Sequence, residues 1–92
     1  MSTEITDNAE RGRYEIRVDG DLAGFAEYER GEGAVVFTHT EVDSAFEGKG
    51  VGSALARGAL DDVRAKGRSV VPLCPFIKKW IGRHPDYQDL VR

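Results

Sequence analysis

The chain is poor in the residues that staple or rigidify small proteins: one cysteine, one methionine, one tryptophan and three prolines in 92 residues. Cys74 alone cannot close an intrachain disulfide, and without a cysteine cluster a thiolate-rich zinc site is excluded, so no metal is expected. Long hydrophobic runs are also absent. None approaches the roughly 20 residues that cross a bilayer, and the opening MSTEITDNAERG lacks the charged-then-apolar profile of a signal peptide. A cytoplasmic protein with no membrane contact is expected. There is no excess of positive charge either: 13 Lys and Arg against 16 Asp and Glu give a net charge of −3, which argues against nucleic acid or anionic lipid as a partner and makes any anion site local. What is present, 40% apolar and 32% charged residues, suffices for one modest core with a solvated surface. A monomer or weak homodimer is the expected state.

Residues 1–12 offer only Ile5, besides Met1, as a sizeable apolar side chain, too little to offset the entropy of ordering, and are read as a flexible tail. A single domain is expected over 13–92. From Arg13 the residues alternate: Tyr14, Ile16 and Val18 against Arg13, Glu15 and Arg17, the period of a half-buried strand. Asp19-Gly20 turns the chain, Leu22 to Arg30 returns it, and Gly31-Glu32-Gly33 leads into a third strand from Ala34 to Val42. These three strands form an antiparallel meander. The period then lengthens: Val51, Leu55, Ala59, Leu60 and Val63 line one face of a helix, with Gly67 placed to end it. Ser69 to Cys74 reads as a short strand parallel to the third, and Pro75 starts a short helix to about Arg83. The fold class is mixed α/β.

Glu47-Gly48-Lys49-Gly50-Val51-Gly52-Ser53 joins the third strand to the helix. Glycines there let several backbone N–H groups close on one anion while the helix dipole adds partial positive charge. The spacing fits neither the G-x-G-x-x-G of dinucleotide folds nor a Walker loop, which wants Ser or Thr after Gly-Lys where this chain has Gly50. Three further groups invite chemical roles. His39 shares the alternation of Val35, Phe37 and Glu41, so it is expected among apolar neighbours as a candidate base with Glu41 as its partner, or as a hydrogen-bonded core histidine. Cys74 is a candidate nucleophile beside a helix start, or an inert packed thiol. Lys78, Lys79 and Arg83 form either an anion-binding edge or a solvated helix face.

Glu41-Val42-Asp43, Phe46 and the run from Gly48 to Leu55 together resemble the coenzyme-A loop of the GNAT acyltransferase superfamily. That signature is Arg or Gln, two residues, Gly, one residue, and Gly or Ala; Glu47, Gly50 and Gly52 take those positions. The likeness runs from Tyr14 onward, and His39-Thr40-Glu41-Val42 with Cys74-Pro75 is similar to the compact N-acetyltransferase-like branch, which pairs a His and a Cys at these places. The resemblance implies a truncated GNAT-like fold and an N-acetyltransferase moving an acetyl group from acetyl-CoA to an amine, small molecule or protein lysine. It implies pantetheine against the backbone near Val42, pyrophosphate on Gly48, Lys49, Gly50, Val51, Gly52 and Ser53 with Glu47 beside it in the cofactor-binding loop, a 3′-phosphate near Lys78, and catalysis by His39 and Cys74. The chain departs from the pattern twice. Glu47 stands where a cation or amide is usual, and Ile81 falls near the place of the Tyr that protonates the departing thiolate in longer members. Those departures keep a second reading open, a non-catalytic CoA-binding or protein-interaction module of the same fold.

Overall fold

Five strands and two principal helices make up the computed structural model, which describes residues 2–92. The strands are β1 (Thr3–Asn8), β2 (Arg13–Val18), β3 (Asp21–Gly31), β4 (Ala34–Val42) and β5 (Ser69–Pro72); the helices are α1 (Val51–Ala65) and α2 (Pro75–Gly82). They form one mixed sheet in the order β1-β2-β3-β4-β5. The first four strands are antiparallel neighbours, and β5 lies parallel to β4.

The segment expected to be a flexible tail is the edge strand β1, paired along its length from Thr3↔Val18 to Asn8↔Arg13; Met1 lies outside the described residues. Local apolar content in this segment is low, but β1 is held by distant partners. Ile5 seats directly over Gly58 of α1, where a Cβ would lie 2.6 Å from Ile5 Cγ1, so the missing side chain is what lets strand and helix meet. Asp7 accepts hydrogen bonds from the Tyr28 hydroxyl and from Lys66 Nζ, and Lys66 also bridges to Asp62, 2.8 Å away. Tyr14 donates to Asp62 at 2.6 Å. These bonds tie β1, β2 and β3 to the end of α1.

Both helices cover the same sheet face. The stripe Val51, Leu55, Ala59, Leu60 and Val63 is buried as its period requires, and it packs with Tyr14, Ile16, Phe37 and Val70 from the sheet and Ile77, Trp80 and Ile81 from α2. Beyond α2, the turn Pro85–Leu90 adds Tyr87 and Leu90 to this core. The opposite face carries Arg13, Glu15, Phe25, Glu27 and Glu41 and has no helix over it among the described residues.

β5 is shorter than the run read from the sequence. It stops at Pro72, and the N–H groups of Leu73 and Cys74 both turn back onto the Phe37 carbonyl, at 3.0 and 2.9 Å. Pairing with β4 therefore ends at Phe37↔Pro72, while β4 continues to Val42. The same place holds an irregularity on the other side of β4, where Glu27 pairs with His39 but Tyr28 pairs with Phe37. Thr38 is an extra residue, a bulge that bends the strand as it leaves β5.

Candidate functional site

That bulge resets the alternation of β4 and moves His39 off the face expected for it. Phe37 is fully buried against the helices; after Thr38 the inward positions are Thr40 and Val42, and His39 and Glu41 point to the open face. His39 is thus not among core neighbours. Its side chain is 53% exposed, its Nε2 lies 3.3 Å from Glu41 Oε1, and its ring is 6.4 Å from that of Phe25. The partnership with Glu41 is present, but between two exposed groups on the sheet surface.

Cys74 faces the other side. Its thiol is buried, 3% exposed, and meets Thr40 Oγ1 at 3.3 Å. The structure therefore brings Thr40, rather than His39, to Cys74. Thr40 gave no signal in the sequence because strict alternation from Phe37 assigns it to solvent. Beyond Phe37↔Pro72 the two strands part: β4 from Thr38 to Val42 has no pairing with Leu73 to Phe76, a slot in the backbone ladder that is bridged where Thr40 meets Cys74.

The glycine loop closes one end of this slot. Gly48 and Gly50 take φ of +77° and +75°, the left-handed region that glycine enters without strain. Gly50 is the N-cap of α1 and offers no side chain to cap it. The first helical hydrogen bond runs from Ala54 N–H to the Gly50 carbonyl, so the N–H groups of Val51, Gly52 and Ser53 are left for an outside acceptor, with the positive end of the helix dipole behind them. A Cβ on Gly52 would lie 3.0 Å from Phe76 Cζ and 3.6 Å from Val42 Cγ2, which shows how closely the loop, the end of β4 and the start of α2 converge. Glu47 is exposed on the loop, and Lys49 Nζ lies 5.9 Å over the Phe46 ring.

Beside the α1 N-terminus, a groove of about 270 Å³ is lined by Ser53, Phe76, Lys79, Trp80, Arg83 and His84. Of the three cations considered on this segment, Lys79 and Arg83 reach the groove and Lys78 does not. The helical period groups residue 76 with 79, 80 and 83 and turns 78 away, a signal the sequence did contain. Trp80 is fixed by donating from Nε1 to Ser53 Oγ at 2.8 Å, and His84 stacks on it at 3.8 Å between ring centroids. Arg57 covers the indole from the α1 side, 5.3 Å from its centre.

No tyrosine hydroxyl is free. Tyr14 donates to Asp62, Tyr28 to Asp7 and Tyr87 to Asp61, and all three phenols are pushed upward, by burial first and then by these carboxylates. Ile81, where a donor to the thiolate would be sought, is buried in the core.

A strand pair that parts beside an uncapped glycine loop, within a mixed sheet covered on one face, defines the class, and the comparisons agree. The chain belongs to the GCN5-related N-acetyl-transferase family, whose model matches residues 13–90. Among curated relatives it is similar to Protein NATD1 of Xenopus tropicalis, 30% identical over 99% of this chain and 85% of that one. Protein NATD1 of Homo sapiens is 32% identical over 89% of this chain and 74% of that one. Among solved structures, a GCN5-like protein from Staphylococcus aureus shares the fold with a TM-score of 0.73 and 21% identity, over 97% of this chain and 87% of the other. A ribosomal-protein-alanine N-acetyltransferase from Brucella melitensis aligns with a TM-score of 0.57 and 23% identity, over 87% of this chain and 60% of its own.

Proposed function

We propose that the protein is an N-acetyltransferase that moves the acetyl group of acetyl-CoA to an amine, acting as one domain that includes β1. The observation that carries this reading is the parting of β4 from β5 next to three N–H groups at the start of α1 that have no partner among the described residues. The Val51, Gly52 and Ser53 amides supply donors for a pyrophosphate, and Lys79 and Arg83 supply cations for a third phosphate along the adjoining groove. The edge of β4 from Thr38 to Val42, free of β5, supplies backbone partners for the amides of pantetheine.

With the thioester in the slot, a neutral amine attacks its carbonyl carbon. The C–N bond forms, the C–S bond breaks, and the amine gives up one proton as the thiolate leaves. We assign that proton to His39, which is exposed beside Glu41 on the open face. Thr40 and Cys74, bonded to each other on the helix side of β4, are the protic side chains we assign to the departing thiolate. Direct transfer is favoured over an acetylated Cys74, because the thiol is buried and bonded to a neutral hydroxyl rather than to a base.

Mixing acetyl-CoA with a panel of amines and following free thiol tests the reading. Release of CoA with acetylation of an amine is expected, with Cys74→Ser retaining most of the rate. Titration of the labelled protein with CoA is expected to shift the amides from Val42 to Ser53 first; CoA binding without turnover on any amine would instead establish a CoA-holding module, for which Glu47 and the engaged tyrosines speak. No shift between Val42 and Ser53 at saturating CoA overturns both.

A further inference from the structure

We infer that Trp80 is a positioning residue for the cofactor: its indole N–H holds Ser53 so that the serine hydroxyl is a fixed donor to the pyrophosphate of CoA. The inference rests on the acetyl-CoA reading for the ligand, and on the contact between α1 and α2 for the geometry.

Ser53 is the third residue of α1, exposed where the glycine loop meets the groove. Its hydroxyl oxygen accepts from Trp80 Nε1 at 2.8 Å. A hydroxyl also has one proton to give, and among the described residues no group accepts it. A serine left to itself in this place rotates between rotamers or bonds back to its own helix. With one lone pair engaged by the indole, the Ser53 oxygen is held and its proton is turned away from Trp80. One residue then presents a hydroxyl and a main-chain N–H, neither of them taken, at the start of α1.

α2 grips the first turn of α1 at two successive residues. Phe76 meets Gly52, where a Cβ would lie 3.0 Å from Phe76 Cζ, and Trp80, one helical turn further along α2, meets Ser53. Trp80 is itself held from several sides. His84 stacks on it with ring planes 11° apart, and His84 Nδ1 donates to the Trp80 carbonyl at 2.7 Å. Arg57 lies over the indole, and Tyr87 meets it at 66° with 5.0 Å between ring centroids. An indole so enclosed, 5% exposed, is no open platform for a purine to stack on. Its one polar atom is committed to Ser53, which makes holding that hydroxyl its contribution to the groove.

The charges of the loop give the device its use. Glu47 brings an exposed carboxylate beside the α1 N-terminus, and Lys49 sits over the Phe46 ring, so neutral donors carry much of the load there. The amides of Val51, Gly52 and Ser53 are three; a hydroxyl ordered before the ligand arrives is a fourth, without the ordering cost that a free serine incurs on binding.

Trp80 is the single tryptophan, so its indole N–H gives one resonance in the nitrogen-labelled protein. CoA is expected to move that resonance, because a Ser53 hydroxyl that donates to phosphate becomes a better acceptor for the indole. In Ser53→Ala, CoA should leave it in place. By calorimetry, Ser53→Ala should weaken CoA about tenfold and Trp80→Phe about fivefold, while the double variant falls no further than Ser53→Ala, since both changes remove one donor. The same losses are expected with 3′-dephospho-CoA, which keeps the pyrophosphate and lacks the phosphate assigned to Lys79 and Arg83. An equal indole shift in Ser53→Ala, losses that add in the double variant, losses absent with 3′-dephospho-CoA, or unchanged CoA affinity in Ser53→Ala each overturns the positioning role and leaves the acetyl-CoA reading standing. Absence of CoA binding to the unaltered protein overturns both. Where Trp80→Phe does not fold, the indole resonance and the affinities of the unaltered protein and Ser53→Ala decide alone.

Discussion

The two faces of the sheet are built from the same strands yet obey different constraints. The helix-covered face is a packed interior in which Phe37, Ile16, Leu55 and Leu60 are fully buried and every polar group that enters is bonded: Tyr14 to Asp62, Thr40 to Cys74, Trp80 to Ser53. On the open face the charges at the β4 end stay in water, with His39 and Glu41 more than half exposed, while Glu15 is buried and paired with Arg13 and Arg17. One residue of bulge at Thr38 decides which side chains of β4 go to which face, at the point where the pairing of β4 with β5 ends. The lesson is that the covered face fixes geometry, while the open face holds exposed groups that can change partner without unfolding the protein.

The sharpest way to break that contrast is to truncate two neighbours across the bulge. Phe37→Ala leaves a cavity in the covered face and is expected to cost about 3–5 kcal/mol of stability. His39→Ala should change stability by less than about 0.5 kcal/mol while lowering turnover by roughly 10²-fold. Denaturant titration and steady-state rates on both variants check the pair; a large loss of stability in His39→Ala would return that residue to the core.

Gly50→Val addresses the junction of the faces. A β-branched residue at φ +75° is strained by about 1–3 kcal/mol even though nothing crowds the position, so the loop should rearrange and CoA affinity should fall by at least about tenfold. Calorimetric titration with CoA, on a variant whose thermal midpoint shows it folded, gives the answer, and unchanged affinity counts against the loop geometry.

Acid should act on the covered face through its tether to β1. Burial alone would raise the Asp62 carboxyl, but hydrogen bonds from Lys66 and Tyr14 hold it below its ordinary value of 3.8. A group with a lowered folded pKa contributes stability that is complete above its unfolded value and is lost as pH falls through the folded one. Stability should therefore decline progressively below about pH 4, and less so in Asp62→Asn, whose baseline is lower. Lys66 is raised, first by its hydrogen bonds to Asp62 and Asp7, so its contribution is complete below 10.5 and fades only at higher pH. Urea midpoints across the pH range measure both limbs.

The smallest expected effect is Glu47→Arg. Exchanging an exposed carboxylate for a cation beside two phosphates should tighten CoA on the order of 1 kcal/mol, and the gain should shrink as salt is added. A loss of affinity would mean that Glu47 supports the loop instead.

Much of this architecture was legible along the chain. The period of two in Tyr14, Ile16 and Val18, the period near 3.6 in Val51 to Val63, and glycines at a strand-to-helix junction each report a local conformation set by sterics and by which side chains can leave water together. They were enough for the strand meander, the helix, the parallel return and the GNAT resemblance. Two matters belonged to tertiary structure alone, and a third in part. The ordering of Thr3–Asn8 depends on Gly58, Tyr28 and Lys66, all distant in sequence, whose contacts exist only once α1 lies on the sheet. The face of His39 depends on a single extra residue in the β3–β4 ladder, and a bulge leaves no periodic trace because alternation on either side of it looks intact. The choice of Lys79 and Arg83 over Lys78 is written in the helical period, but which flank of α2 borders a groove is set by how it docks beside α1. Local pattern determines what each segment can be, because sterics and solvation act residue by residue; which groups meet at the slot is decided by packing, because that depends on contacts the chain makes only when folded.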